Sequence, residues 1–196
     1  MDNTKDFIIE EAFKLFLNHS YEAVSISDIS KAIGFTKGAL YHHFKNKEEL
    51  FKSVVDKYLV MPEVEVDVTS ISLAEFLDVS LRCSEKFIRG LFTSTQVYSP
   101  ISYLAFFADA FRHYPGHAEQ TSNFFDKEIE KTRIVIEKAI ASGEIRSDIN
   151  PSVIANNFFS LDFGLAGNLV RHQSIDEASS LLKEQIMEFY KLLKKN

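Results

Sequence analysis

Residues 25–50 read SISDISKAIGFTKGALYHHFKNKEEL. Ser25 with Asp28 three positions on has the pattern of a capping box, with Asp in place of the usual Glu or Gln, and it opens a short helix. Ile26, Ile29 and Ile33 recur at helical spacing on the inner side of that helix. Gly34, which tolerates positive φ, ends it. Thr36 is a good cap for a second short helix running to about His43. There Ala39, Leu40 and Phe44 are expected to pack inward, leaving Lys37, Gly38, Tyr41 and His42 outside. Asn46, with Glu49 three residues later, caps a third helix. Two short helices joined by a tight turn make a helix-turn-helix, whose second helix lies in the DNA major groove.

Helical periodicity extends from this stretch in both directions. Upstream, a helix starts near Asn3, is supported by Asp6, and places Ile8, Ala12, Leu15 and Phe16 on one face. It stops around Asn18–Ser20. Downstream, Leu50, Phe51, Val54, Val55, Tyr58 and Leu59 define a fourth helix over about 47–61, which Pro62 prevents from continuing. Glu63 to Val68 alternates acid and valine, a strand signal. With no second strand to pair with, the segment reads as an extended linker and marks a shift in composition.

Five more helices follow. Ser72 with Glu75 opens one at about 73–91, and Ser99-Pro100 opens one at about 100–113. The break at 113–116 leads into a helix that runs to Ser142 and stops at Gly143. Asn150-Pro151 opens an eighth helix (about 151–171), and Ser174 with Glu177 a ninth (about 175–194). The expected fold is therefore all-α, with about nine helices. Residues 1–46 form the helix-turn-helix domain and 47–196 a second helical domain, with the helix at about 47–61 as connector. The eighth helix is apolar on two sides: Ile154, Phe158, Leu161 and Leu165 form one stripe, while Phe159, Phe163, Ala166 and Leu169 form another. Gly164 and Gly167 would admit a close backbone. The second side meets either a partner chain or more of its own subunit.

Composition narrows the function. The chain has 196 residues, 45% hydrophobic and 26% charged, long enough for a sizeable core. No apolar run approaches a membrane span, and MDNTKDFIIEEAF lacks the basic start of a signal peptide, so a cytoplasmic protein is expected. The single cysteine, Cys83, excludes an intrachain disulfide framework and a cysteine-rich zinc site. The net charge of −6 argues against nucleic acid, but charge location matters more than the total. Lys31, Lys37, Lys45, Lys47, Lys52 and Lys57 stand against Glu48, Glu49 and Asp56, and those two glutamates sit at a helix start. There is no Gly-rich phosphate loop and no nucleophile motif, so no enzymatic activity and no cofactor are expected.

The stretch resembles the DNA-binding segment of TetR-like transcriptional repressors. The telling run is Thr36-Lys37-Gly38-Ala39-Leu40-Tyr41-His42-His43-Phe44-Lys45-Asn46-Lys47-Glu48-Glu49-Leu50, supported upstream by Leu15-Phe16 and by Tyr21-Glu22-Ala23-Val24-Ser25. Ser20 stands where the family usually has Gly, and Ser30 where it often has Ala. Ser20 is expected to strain the turn after the first helix unless Asn18 or His19 takes the left-handed conformation. The resemblance implies a homodimer paired through the eighth and ninth helices, with Phe159, Gly164, Gly167, Leu181 and Leu192 at the interface. It also implies a ligand that acts on the recognition helices through the fourth helix. The expected partners are a double-stranded DNA operator, a second copy of the chain and a small apolar or aromatic effector, with no membrane. A small-molecule-binding helical protein without specific DNA function is the alternative.

The candidate DNA-binding residues are Ser25, Ser27, Thr36, Lys37, Gly38, Tyr41, His42 and Lys47. In similar proteins the positions of Tyr41 and His42 touch phosphates or base edges; Tyr41 covering the small domain's core is the other reading. Thr36 and Lys37 lie at a helix N-terminus, which suits phosphate. Lys47 suits phosphate likewise, because a lysine at a positive helix end is unfavourable as a purely structural element. Ser25 and Ser27 serve equally well as simple caps. Phenylalanine is abundant, 18 with no Trp. Phe87, Tyr98, Tyr103, Phe106, Phe107, Phe111, Phe124, Phe125, Phe158 and Phe163 are candidates for a pocket lining, with packed core as the default for each. Asp109, His113 and His117 have metal-ligand spacing, but Pro115 and Gly116 break the helix between the histidines. A solvated surface is expected there and no metal site.

Overall fold

In the computed structural model, residues 3–93 and 99–195 are described. They contain α1 Asn3–Asn18, α2 Ile26–Ile33, α3 Lys37–His43, α4 Lys47–Tyr58, α5 Leu73–Thr93, α6 Pro100–His113, α7 His117–Ser142, α8 Pro151–Phe163, α9 Leu165–His172 and α10 Ile175–Leu193. No strand occurs among the described residues; the only β pairing is an isolated bridge between Ile145 and Lys194. Residues 63–67 have no regular secondary structure and pair with no strand among the described residues, and a turn follows at 68–70. No described helix is long and apolar enough to cross a membrane.

Local hydrogen bonds explain most helix ends. At α2, Ser25 Oγ accepts from Asp28 N (3.2 Å) while Asp28 Oδ2 accepts from Ser25 N (3.0 Å), so the box is reciprocal. Thr36 and Asn46 accept from the amides of Ala39 and Glu49, at 3.2 and 2.8 Å. Glu49 reaches one residue further back than the expected box, accepting from Lys45 N at 2.7 Å. Ser72 and Glu75 reciprocate at α5. Gly34 and Gly143 stop α2 and α7 with φ of 71° and 77°.

Two local expectations change. Among the described non-glycine residues only Gln173 has positive φ, so neither Ser20, Asn18 nor His19 is left-handed. The turn instead closes through Ser20 O, which accepts from Ala23 N (3.1 Å) and Val24 N (3.3 Å). The predicted eighth helix is interrupted at Gly164, giving α8 and α9, so that ten helical segments are counted among the described residues where the sequence joins two of them into one. Gly164 stays right-handed (φ −62°, ψ −17°), and hydrogen bonds run to it and from it, Gly164 N to Ser160 O and Asn168 N to Gly164 O, both 3.0 Å. A Cβ there would stand 3.1 Å from Leu161 O.

The chain forms two compact units. One joins Met1–Met61 with Leu91–Glu119; the other joins Pro62–Gly90 with Gln120–Asn196. This division differs from the boundary at 46/47: α4 and α6 pack with the helix-turn-helix. In the first unit Phe51, Phe106, Ile8, Ile29, Leu40 and Leu50 are fully buried. Phe51 lies edge-on to Phe16 (5.0 Å between centroids), Tyr21 (4.7 Å) and Phe106 (5.7 Å), and Phe13 stacks on Tyr58 (3.7 Å). In the second unit Leu73, Val135, Ile136, Ala155 and Ala178 are sealed, with Phe158 and Tyr190 nearly so.

Candidate nucleic-acid interface

Leu40 and Phe44 anchor α3 by burial, and this fixes which residues face out. Thr36, Lys37, Gly38, Ala39, Tyr41 and His42 are exposed, and Tyr41 keeps 50% of its surface in solvent. Ala39 was expected to pack inward and does not: one turn from its cap, it extends the outward face with a methyl group. Tyr41 does not cover the domain core, since half of its surface remains free. Ser25 is exposed, but its hydroxyl donates to Asp28 (2.5 Å) and accepts from the Asp28 amide, so capping occupies it. Ser27 is half-buried.

The charges around α3 sort by whether they have partners. Lys14, Lys52 and Lys57 pair with Glu11, Glu48 and Asp6 at 2.5, 3.0 and 3.2 Å. Lys31, Lys37 and Lys45 are exposed and pair with no acid among the described residues. No arginine occurs before Arg82, so cationic contacts from this domain come from ammonium groups.

Lys47 is turned toward the protein. Its Nζ donates to Tyr21 O (2.8 Å) and Val24 O (3.0 Å) and lies 4.0 Å from the centre of the Tyr21 ring. The structural role that its helix position argued against is the one observed: two carbonyls and an aromatic face outweigh an unfavourable helix end. The same loop is held from α6. Asp109 Oδ2 accepts from Tyr21 N at 2.7 Å, and the His113 ring stacks on Tyr21 at 4.3 Å with Nε2 3.2 Å from Glu22. Asp109 and His117 are 8% and 7% exposed, which corrects the expectation of a solvated surface. Burial lowers the His117 pKa. No group of three metal-ligating side chains gathers among the described residues.

The candidate pocket residues divide between the units. Phe106 is sealed in the core of the first, with Tyr103 and Phe107 packed against it, while Phe111 is 41% exposed. Phe87, Phe124, Phe125, Phe158 and Phe163 belong to the second unit. There Phe125 meets Phe159 (4.9 Å) and Phe163 (6.0 Å), whereas Phe158 is buried against Phe189 (5.0 Å). Tyr98 lies outside the described residues. Packed core, the default reading, therefore holds for Phe106 and Phe158, because each fills its own unit's interior. A cleft of about 300 Å³ in the second unit is lined by Asp78, Arg82, Glu85, Arg89, Leu165 and Lys183, among others, and by none of these rings. Of the interface candidates, Gly164, Gly167 and Leu192 are exposed, while Phe159 and Leu181 are half-buried.

Residues 8–54, which span α2 and α3, match the family model of bacterial regulatory proteins of the tetR family. The chain's N-terminal segment belongs to that family. The HTH-type transcriptional repressor ComR of Escherichia coli is 44% identical over 55 residues, 28% of this chain and 26% of ComR. At that level of identity the chain spans only about a quarter of the length of its curated relatives. The HTH-type transcriptional repressor AcnR of Corynebacterium glutamicum is 23% identical over 181 residues, covering 92% of this chain and 89% of AcnR. The crystal structure of MexZ, a repressor responsible for antibiotic resistance in Pseudomonas aeruginosa, aligns with a TM-score of 0.66 at 18% identity over 96% of each chain. The TetR-family fold thus extends through the whole chain.

Proposed function

We propose that the chain is a DNA-binding transcriptional regulator, a repressor that grips a pseudo-palindromic operator as a homodimer and is released by a small apolar or aromatic molecule. The observation that carries this reading is the outward face of α3, with Tyr41 half exposed and Lys31, Lys37 and Lys45 unpaired around it. Those lysines supply affinity through phosphates, and Lys37, Ala39, Tyr41 and His42 read base edges. With no arginine on α2 or α3, those helices offer no guanidinium fork to guanine, and the Ala39 methyl suits a thymine methyl. A two-fold dimer demands a two-fold site. Val153, Phe163 and Leu192 leave 53%, 53% and 73% of their surfaces exposed on α8 and α10, which supports pairing through those helices. The effector must bind the DNA-incompetent state more tightly, or it shifts nothing.

Selection from random duplexes tests the reading: it should enrich a two-fold sequence, and enrichment of none overturns the proposal in favour of a small-molecule binder. On the selected site, Tyr41→Ala should lose about 1–3 kcal/mol of binding with an unchanged melting temperature, since the ring supports no core.

A further inference from the structure

The corner between α6 and α7 is packed around a histidine. His117 begins α7, directly after Tyr114, Pro115 and Gly116, and Gly116 turns the chain with a φ of 87°. His117 N closes the corner by donating to Tyr114 O at 3.1 Å. The imidazole stacks on Tyr114 (5.5 Å between centroids) and meets Phe111 and Phe107 of α6 edge-on at 5.3 and 6.4 Å. The residue is 7% exposed, and its buried Nε2 has no hydrogen-bond partner among the described residues. An imidazolium there would bury a donor with no acceptor among aromatic rings. It would also put a positive charge on the first residue of a helix, where the dipole opposes it. Burial lowers the His117 pKa, and Asp56 of α4 opposes that shift without cancelling it. The other charged groups nearby have different partners or face solvent. Lys52 of α4 lies over the Tyr114 ring at 5.5 Å, Arg112 and His113 of α6 face Asp109 and Glu22, and Glu119 of α7 is exposed.

This corner ends the helix that grips the loop ahead of α2. Asp109 and His113 hold that loop through Tyr21 N (2.7 Å) and Glu22 (3.2 Å), and they alternate along the last turns of α6 with the rings that enclose His117. All of these residues belong to one compact unit. Expelling the imidazole would strip Phe107, Phe111 and Tyr114 of a shared neighbour, and the end of α6 that carries Asp109 and His113 would loosen with them.

We propose that the α6–α7 corner is an acid-sensitive latch on the helix-turn-helix: neutral His117 keeps it closed, and proton uptake by His117 opens it and releases the loop before α2. Its effect on DNA rests on the reading of the chain as a DNA-binding regulator; its trigger does not. A histidine held neutral by the fold stabilises fully above its ordinary value of 6.5, and that gain is lost as pH falls from there through the folded value. NMR titration of the DNA-free full-length protein from about pH 8 to about pH 5 tests it. His117 should titrate below 6.5, and the Tyr21 amide signal should move with the His117 midpoint. His117→Phe, an apolar ring in the same place, should abolish that movement. On the selected duplex, the affinity of the wild type relative to this variant should fall at least about fivefold over the same range. The ratio removes the response of the other histidines, including His113, whose protonation would tighten its contact with Glu22. A His117 midpoint at or above 6.5, a Tyr21 amide that does not follow it, or a constant affinity ratio overturns the latch. The first two are read on the wild type and decide even if the variant fails to fold. Absence of duplex binding by the wild type at every pH would overturn the regulator instead, and the Tyr21 amide would still decide the latch.

Discussion

Two joints of the molecule are clasped by the same device with opposite charge. Between α1 and α2, the Lys47 ammonium donates to the carbonyls of Tyr21 and Val24. At the start of α5, the Glu144 carboxylate accepts from the amides of Leu73 and Ala74, both at 3.1 Å, and from Tyr190 OH at 2.8 Å. The sign follows the backbone groups left over. A helix start exposes amides and calls for an acid, whereas the loop before α2 turns carbonyls inward and calls for a base. The α5 joint also has its own Ser72–Glu75 box. The loop before α2 relies on neighbours, with Asp109 taking the amide of Tyr21 and Lys47 its carbonyl. A helix-turn-helix whose entry loop is held by α4 and α6 is coupled to those helices through named hydrogen bonds.

The comparison can be broken from either side. Glu144→Ala should cost the most stability, about 3 kcal/mol, because two amides and a nearly buried phenol lose their acceptor together. Chemical denaturation measures it, and a loss below about 1 kcal/mol would mean that water replaces the carboxylate. Lys47→Ala should cost about 2 kcal/mol and leave the salt dependence of operator binding unchanged, since the ammonium is engaged with protein. A salt slope lower by about 1 with an unaltered melting curve would return Lys47 to the phosphates. The smallest effect belongs to the linker. Hydrogen bonds from Lys127 and Lys131, at 2.8 Å each, hold the Glu63 carboxyl down at about 2 against an ordinary 4.5. A lowered folded pKa stabilises above the unfolded value and is lost as pH falls through the folded one. Glu63 should therefore titrate near pH 2 by NMR, and Glu63→Gln should flatten the acid dependence between pH 4.5 and 2 by losing at neutral pH the same stability that acid removes from the wild type, a small amount because the pair is exposed.

How much was legible depended on the range of the interaction. Ser25, Thr36, Asn46, Ser72 and Ser99 cap helices through bonds three residues long, and Gly34 and Gly143 stop them by backbone freedom. Residue type at fixed spacing suffices for such bonds, so the helix-turn-helix and most helix ends could be read in advance. The outward positions of Tyr41 and His42 followed from the inward pull of Leu40 and Phe44. Ala39 did not, because a methyl group is too small to declare a side.

The sequence by itself determined the all-helical architecture, the α2-turn-α3 unit and, Ala39 apart, the residues that α3 turns outward, since these arise from local hydrogen bonds and helical periodicity. Only the tertiary structure decided that Lys47 clasps a loop, that Asp109 meets an amide 88 residues away, and that the phenylalanines divide between two units. It alone brought Ser84 to Asp162 across 78 residues. These contacts depend on which helices pack together, and packing is chosen by the sum of buried apolar surface, which no short spacing encodes.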